Sequence, residues 1–432
     1  MSDVIFWLRR DLRSHDNAGL HAALQSGGSV VPLFIFDTNI LSELPSRKDR
    51  RVSFIYDNLK KLNEEFRLAG SRLIVKIGSP REVFVSLAEE YDIGAVYANE
   101  DYEPYATARD AEIWKMLAEK SIPLHLFKDQ VIFAKDDVLK PDGDPYTIYT
   151  PYKKKWKEKL SNSPINEYPS EKLTGNLKKL TFRELPPPEE IGFEYAGYSL
   201  PEDRPATEII KKYDELRNFP SIDGTTRIGP DLRFGAKSIR RMVRLGLEYN
   251  ETWLDQLIWR EFFHMILYHF PYSAEGAFRK KYDNVEWIND PDDFRRWRQG
   301  RTGFPMVDAG MRQLNETGYM HNRVRMIAAG FLTKNLLTDW RLGERYFAGK
   351  LLDYDMANNV GGWQWAAGTG CDAAPYFRVF NPLTQQKKFD PEGEYVRRWI
   401  PEPNNDYTAP VVDLKESRSR AIEAFKRASG GG

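Results

Sequence analysis

The sequence predicts an α/β N-terminal domain built on a doubly wound parallel sheet, followed by a large all-α domain. Two observations carry that expectation. Early in the chain, short apolar runs rich in β-branched residues alternate with amphipathic stretches, the pattern of successive βαβ units. Past Ala206 the apolar spacing is helical almost throughout. At 432 residues the chain has material for two hydrophobic cores.

The strand candidates are 4–8 (VIFWL), 30–36 (VVPLFIF), 72–77 (RLIVKI), 95–99 (AVYAN) and 123–127 (PLHLF). Helical stretches lie between them at 17–25, 50–69 and 81–91; in the second, Val52, Ile55, Leu59, Leu62 and Phe66 form one stripe. No GxGxxG follows the first strand, so a dinucleotide fingerprint is absent. Arg9-Arg10-Asp11-Leu12-Arg13 stands there instead, suiting either an anion at the strand ends or a structural salt-bridge cluster. From about 135 to 205, Pro, Gly, Asn and Ser recur and periodicity fades, which reads as a connecting segment on the surface. Residues 251–270 then form a helix ended by Pro271, and 305–315 and 321–337 form two more around the turn Glu316-Thr317-Gly318. The remainder, 383–430, is polar and ends in a charged helix and a Ser-Gly-Gly-Gly tail.

Composition excludes several function classes. Lys+Arg and Asp+Glu are both 63, so a nucleic-acid contact requires a local basic face rather than a global field. A single cysteine excludes a disulfide framework and suits a reducing compartment. The opening MSDVIFWLRRDLR is too short in apolar residues for a signal peptide, and no run reaches the ~18 of a membrane span. No CxxC, HExxH or serine-nucleophile motif is present, which argues against metal and triad chemistry. The expectation is a soluble cytoplasmic monomer.

Its chemistry is carried by aromatics, 11 Trp, 22 Tyr and 24 Phe, set beside a few polar groups. Gln256, Trp259, Arg260 and Phe263 share a helix face, suggesting either a lined cavity or an arginine stacked on a surface tryptophan. On the second helix, Asn322, Arg325, Met326 and Ala329 align, and Asp353 and Asp355 are the candidate partners for Arg325. Gly224-Thr225-Thr226-Arg227-Ile228-Gly229-Pro230 offers hydroxyls and N–H groups before a helix, as a phosphate cradle or as a simple cap. Tyr213 and Arg217 precede it and could close over a cofactor. Trp363 and Trp365 flank a glutamine behind Gly361-Gly362, where backbone can approach a neighbour closely. Basic residues cluster at Arg279-Lys280-Lys281, Arg295-Arg296, Arg323 with Arg325, and Lys387-Lys388, as a rim for phosphates or as a solvated surface.

Together IFWLRRDLR, YDELRNFP, TTRIG, LIWREF, YMHNRVRM, NNVGGWQWAAGTG and APYFRVFNP resemble the cryptochrome/photolyase family, from residue 3 to about 400. The MHNRxRM pattern is similar to that of class I cyclobutane pyrimidine dimer photolyases. That resemblance implies a helical domain holding FAD, which when reduced and excited passes an electron to a dimer flipped out of UV-damaged DNA. It implies cofactor contacts from Tyr213, Thr225, Thr226, Arg227, Ile228, Gly229, Trp253, Arg260, Arg325, Asp353, Asp355 and Asn359, with Asn359 near the redox-active ring nitrogen. Trp259 and Trp365 fall where the lesion is stacked, beside Gln256 and Met326. Trp287, Trp340 and Trp363 match an electron relay, and Arg217, Asn322, Arg323, Arg378 and Gln385 match lesion or DNA contacts.

Enzymes of the family acting on (6-4) photoproducts carry histidines at the positions of Asn322 and Met326, so the resemblance is to dimer repair. Gln256 replaces a usual glutamate, Ile228-Gly229 a usual Leu-Ser, and Tyr319 a tryptophan. For the antenna chromophore, Tyr105-Ala106 replaces the Asn-Glu pair of folate binders, while Phe34, Arg51, Asp101 and Glu103 resemble a deazaflavin set. The implied division is 1–130 for an α/β antenna domain, 131–205 for a linker and 206–432 for the helical FAD- and DNA-binding domain. A blue-light photoreceptor of the cryptochrome type is the alternative; a (6-4) enzyme ranks below it and a non-photochemical flavin oxidoreductase lower still.

Overall fold

The structure, a computed structural model, describes residues 2–202, 204–401 and 408–430. The chain divides into two compact units, Met1–Val138 with Trp156–Leu200 and Ile228–Leu245, and Leu139–Lys155 with Pro201–Arg227 and Gly246–Gly432. Among the described residues no helix is long and apolar enough to cross a membrane.

In the first unit five parallel strands, β1 (Asp3–Leu8), β2 (Ser29–Asp37), β3 (Ile74–Gly78), β4 (Ile93–Asn99) and β5 (Leu124–Phe127), form one sheet in the order β3-β2-β1-β4-β5. Every residue of β1 is buried, as a central strand covered on both faces requires. The connecting helices begin where local chemistry starts them. Asn17 accepts from the Leu20 N–H, Asp49 from Arg51, and Ser79 forms a capping box with Glu82 ahead of Pro80. Ile5, Trp7, Leu33, Val96, Ile113 and Leu117 are among the residues of the core so enclosed.

The strand order reverses between β1 and β4, the place where open α/β sheets form a crevice at the strands' carboxyl ends. Here a polar cleft of about 210 Å³ is lined by Arg9, Arg10, Asn99, Asp101 and Gln130. Its charges face one another. Arg9 pairs with Asp110, Arg10 with Asp101 at 2.9 Å and Glu103 at 3.0 Å, and Arg13 with Asp129 at 2.7 Å. Of the two sequence readings of Arg9–Arg13, the geometry is that of the salt-bridge cluster.

The stretch 131–205, read from sequence as a linker, holds the helix Tyr149–Ser161, with Tyr149, Tyr152 and Trp156 buried. Those aromatics sit at i, i+3 and i+7, but Pro151 and a run of lysines mask the stripe in sequence. The helix is shared: residues through Lys155 belong to the second unit and those from Trp156 onward to the first.

In the second unit, helices surround a core that includes Trp297, Met306, Leu314, Ile327, Trp340 and Trp363. The helix expected over 321–337 is α-helical only over Asn322–Gly330 and continues as a π-helical turn, Phe331–Asn335. Helices Glu251–His269 and Met356–Ala367 pack together, and at Gly361 a Cβ would come within 2.3 Å of the Phe263 ring. Only glycine allows that approach. Gly362 beside it faces open space.

Candidate functional site

All the candidate site residues of the second unit lie on a few elements. The segment 213–227 begins with the short helix Tyr213–Leu216. Burial raises the Tyr213 phenol, so it stays protonated. Gly224 passes so close to Leu216 that a Cβ would lie 2.9 Å from its carbonyl oxygen. The chain then turns through Arg227, which holds φ of +49°, a left-handed conformation that costs a non-glycine residue about 1–3 kcal/mol. Thr225 Oγ1 lies 3.0 Å from the Tyr319 hydroxyl, and Trp253 Nε1 donates to Thr226 Oγ1 at 3.3 Å. Ile228 and Gly229 belong to the first unit, where Gly229 opens the helix Gly229–Arg233 and Ile228 is buried.

On the helix Glu251–His269, capped by Asn250, Gln256, Trp259 and Arg260 are half-buried. The Gln256 amide donates to the Thr252 carbonyl, 3.2 Å away on its own helix. Phe263 lies 5.5 Å from the Trp259 ring, centroid to centroid. It also lines, with Trp365, Val360, Phe278 and Cys371, an apolar cleft of about 390 Å³ open to solvent. Burial pushes the Cys371 thiol up to about 11, so it is a neutral wall residue rather than a nucleophile.

Arg325 donates to both carboxylate oxygens of Asp353, at 3.1 and 2.9 Å, and to the Met320 carbonyl at 2.8 Å. The other candidate partner is used differently. Asp355 caps the helix Met356–Ala367, accepting from the Asn358 N–H at 3.1 Å and its side-chain amide at 2.7 Å. Its second oxygen lies 3.2 Å from His264 Nε2. A carboxylate just before a helix is drawn to the free N–H groups, which charge-pairing logic alone overlooks. Asn359, one turn on, donates its amide to Glu344 Oε1 at 2.9 Å, and burial raises that carboxyl.

The remaining polar candidates are Arg217, Asn322, Arg323, Arg378 and Gln385, with Asn322 and Arg323 at the start of the helix Asn322–Gly330. Arg323 donates to Asn218 at 2.6 Å, reaches Met326 Sδ at 3.7 Å and lies over Phe389. Burial, then the nearby Arg217, lowers its pKa. Arg217 lies over the Tyr213 ring. Asn322 and Arg378 are exposed, and Gln385 is half-buried. Several other basic side chains are committed locally: Arg279 to the Cys371 carbonyl at 3.1 Å and Arg295 to Asp292 at 3.0 Å.

The tryptophans expected as a relay are graded in exposure, Trp340 and Trp363 buried and Trp287 half-buried. They do not stack on one another directly. Trp363 meets Trp297 edge-on at 6.0 Å and Phe347 at 4.9 Å, while Trp287 meets Phe425 at 5.6 Å.

In the first unit, the residues matched to an antenna are mostly spoken for. Asp101 and Glu103 bind Arg10, Glu103 also binds Arg233 at 2.5 Å, and Arg51 binds Asp49 at 2.5 Å. Phe34 is buried against Phe36. Two carboxylates, Asp101 and Glu103, thus face two guanidiniums, Arg10 and Arg233, and offset their charge.

A flavin nucleotide can be tested against polar atoms. Arg227 Nε and His321 Nε2 are both buried without a hydrogen-bond partner. His321 Nδ1 accepts from the Arg323 N–H, which puts the ring proton on Nε2 as a free donor. Burial and the surrounding guanidiniums hold this imidazole at about 3, neutral at physiological pH. Unpaired buried donors beside paired threonines and a half-exposed Arg325–Asp353 pair suit an anionic, acceptor-rich group. The residues fit FAD. Sequence reasoning missed His321, although its position just before the helix Asn322–Gly330 is a cap signal.

Comparison with known proteins gives a consistent set of likenesses. A family described as "DNA photolyase" matches residues 4–171, and one described as "FAD binding domain of DNA photolyase" matches 253–405. The chain is similar to a deoxyribodipyrimidine photo-lyase of Synechococcus, 38% identical over 92% of this chain and 88% of that one. Among solved structures it is similar to a class III photolyase of Agrobacterium tumefaciens (TM-score 0.86, 29% identity, 100% and 98% covered). It is also similar to a Sulfolobus tokodaii photolyase described with two FAD molecules (0.84, 33%, 98% and 100%). A Synechocystis cryptochrome is a further likeness (0.84, 26%, 98% and 99%).

Proposed function

This chain belongs to the cryptochrome/photolyase family, and on that premise we propose that it repairs cyclobutane pyrimidine dimers in DNA by light-driven electron transfer. The observation that carries the reading is full-length similarity to named deoxyribodipyrimidine photo-lyases, joined to unpaired buried donors in the helical unit where FAD binding is matched. Bound FAD supplies the light-driven electron. The residues of this chain do the rest. Tyr213, Thr225, Thr226 and Arg227 hold the phosphates and ribose, with Trp253 fixing Thr226 from behind. The Arg325–Asp353 pair and Arg260 would help hold the cofactor. Asn359, oriented by Glu344, would offer its amide to a bound flavin. Asp355 acts through the helix it caps rather than by touching the cofactor.

Trp259 and Trp365 stack the flipped dimer, Met326 packs against it, and Gln256 donates a hydrogen bond to a pyrimidine carbonyl. Arg217, Asn322, Arg323, Arg378 and Gln385 meet the flanking phosphates. Splitting a cyclobutane needs no general acid, which accords with a neutral His321 and with Asn322 and Met326 at the helix start. Trp363, Trp340 and Trp287 would serve as the route by which electrons from the surface reach a bound flavin. Trp363 and Trp287 meet phenylalanines, and Trp363 also meets Trp297, so transfer between relay members is by tunnelling rather than along a stack.

For a second chromophore we favour a deazaflavin or flavin ring over folate. The Tyr105 hydroxyl is bound to Asp37 at 2.6 Å and offers folate no carboxylate, and the Sulfolobus protein described with two FAD molecules supports a flavin. The spectrum of chromophores extracted from the purified protein checks both pigments. The central test is repair: blue light on the reduced holoenzyme restores a dimer-containing oligonucleotide, and darkness does not. Dark binding without repair, together with light-driven flavin reduction, favours the photoreceptor reading that the cryptochrome likeness raises.

A further inference from the structure

Tyr149 lies within the stretch that the sequence presents as a connection, yet its side chain is buried and tied at several points. Its ring is nearly parallel to that of Trp259, with centroids 3.6 Å apart and an angle of 11° between planes. Ring quadrupoles do not favour so direct an overlap, so other contacts must impose it. They are present. The Tyr149 N–H donates to Asp372 at 3.0 Å, and its hydroxyl donates to the Asp255 carbonyl at 2.9 Å. Phe262 meets the ring edge-on at 5.9 Å. Lys153 lies 5.8 Å from the ring and is itself bound to Asp255 at 2.9 Å.

Tyr149 is 6% exposed, while Trp259 is half-buried. The tyrosine is therefore the inner layer of the pair and the indole the outer one. A ring tied at its backbone, its hydroxyl and its edge does not swing aside to uncover Trp259. It fixes the indole plane in advance.

We infer that Tyr149 is a positioning residue, the rear layer of a two-ring platform that sets the plane of Trp259 on which a flipped pyrimidine stacks. This rests on the role given above to Trp259. Stacking is worth most when the platform is already aligned, because the ordering cost is then met during folding rather than on binding. The hydroxyl serves to orient the ring, and the burial that raises its pKa keeps it a donor.

The test compares dark binding of FAD-loaded protein to duplexes with and without one thymine dimer, by fluorescence anisotropy, in wild type, Tyr149→Ala, Tyr149→Leu and Tyr149→Phe. Alanine and leucine variants lose about tenfold in affinity for the dimer duplex with unchanged affinity for the undamaged one. Phenylalanine, which keeps the plane, restores discrimination to within about twofold. Leucine fills the volume without offering a plane, so it gives the answer if the alanine variant does not hold flavin. Equal discrimination in all four proteins overturns the inference, as does tighter dimer binding by alanine, which would make Tyr149 a plug. A phenylalanine variant as weak as alanine overturns it too. Wild type that fails to distinguish the duplexes sinks the repair reading itself, and this inference with it.

Discussion

At Gln256 the amide donates one turn back to the Thr252 carbonyl, so on the role proposed for it a dimer would have to draw that donor away from its own helix. Removing it in Gln256→Ala takes away one hydrogen bond of roughly 1 kcal/mol net, which is about fivefold in dimer affinity. Gln256→Glu should retain binding better than alanine, because its protonated form can still donate; titrating both variants with a dimer oligonucleotide separates the cases. Residues of this kind were legible where spacing alone decides. Helical offset and the cost of an unpaired buried charge gave Arg325 two candidate partners, Asp353 and Asp355, and it is Asp353 that lies 2.9 Å away. Asp355 was grouped with them because charge says nothing about direction. What distinguishes a cap is the free N–H groups after it. The pairing of Asp101 and Glu103 with Arg10 was not legible, because the residues lie about 90 positions apart and resemblance named them only toward an antenna.

Among elements, the helix Met356–Ala367 carries three candidate site residues, Asn359, Trp363 and Trp365, and Gly361 lets it press on Phe263. Its start depends on Asp355. Asp355→Ala should cost about 1–2 kcal/mol by loss of the cap, read as a lower midpoint in urea unfolding. Asp355→Asn keeps the cap and removes the charge beside His264, so a full rescue assigns the effect to the cap. Strands and long amphipathic helices were legible because period and length are local properties. The helix Tyr149–Ser161 was not, since lysines surround its aromatic stripe and a proline stands near its start. Nor was the π-helical turn Phe331–Asn335, whose sequence carries an ordinary helical pattern while tertiary packing decides the extra residue.

At the scale of the whole molecule, the network of Arg13, Asp129 and Arg240 ties distant parts of the first unit together. Burial alone would raise the Asp129 carboxyl, but Arg13 and Arg240 outweigh it and leave its pKa below the usual value. A folded pKa below the unfolded one gives stability that is present above about pH 4 and lost as pH falls through the folded value. Asp129→Asn should therefore lower stability at pH 7 by roughly 3–5 kcal/mol, the cost of leaving buried guanidiniums short of a partner. The deficit should shrink toward pH 2, measured by urea unfolding at each pH; a constant deficit would assign the effect to packing. The same network has a consequence for synthesis. Asp129 and Arg240 are 111 positions apart, and the chain between them contributes to both units. At about 5–20 residues per second, the carboxylate leaves the ribosome roughly 5–20 s before its second guanidinium is made. The first unit of the nascent chain thus cannot lock while it is being translated, and a ribosome stalled near residue 205 would display a half-paired centre to the chaperones that meet it.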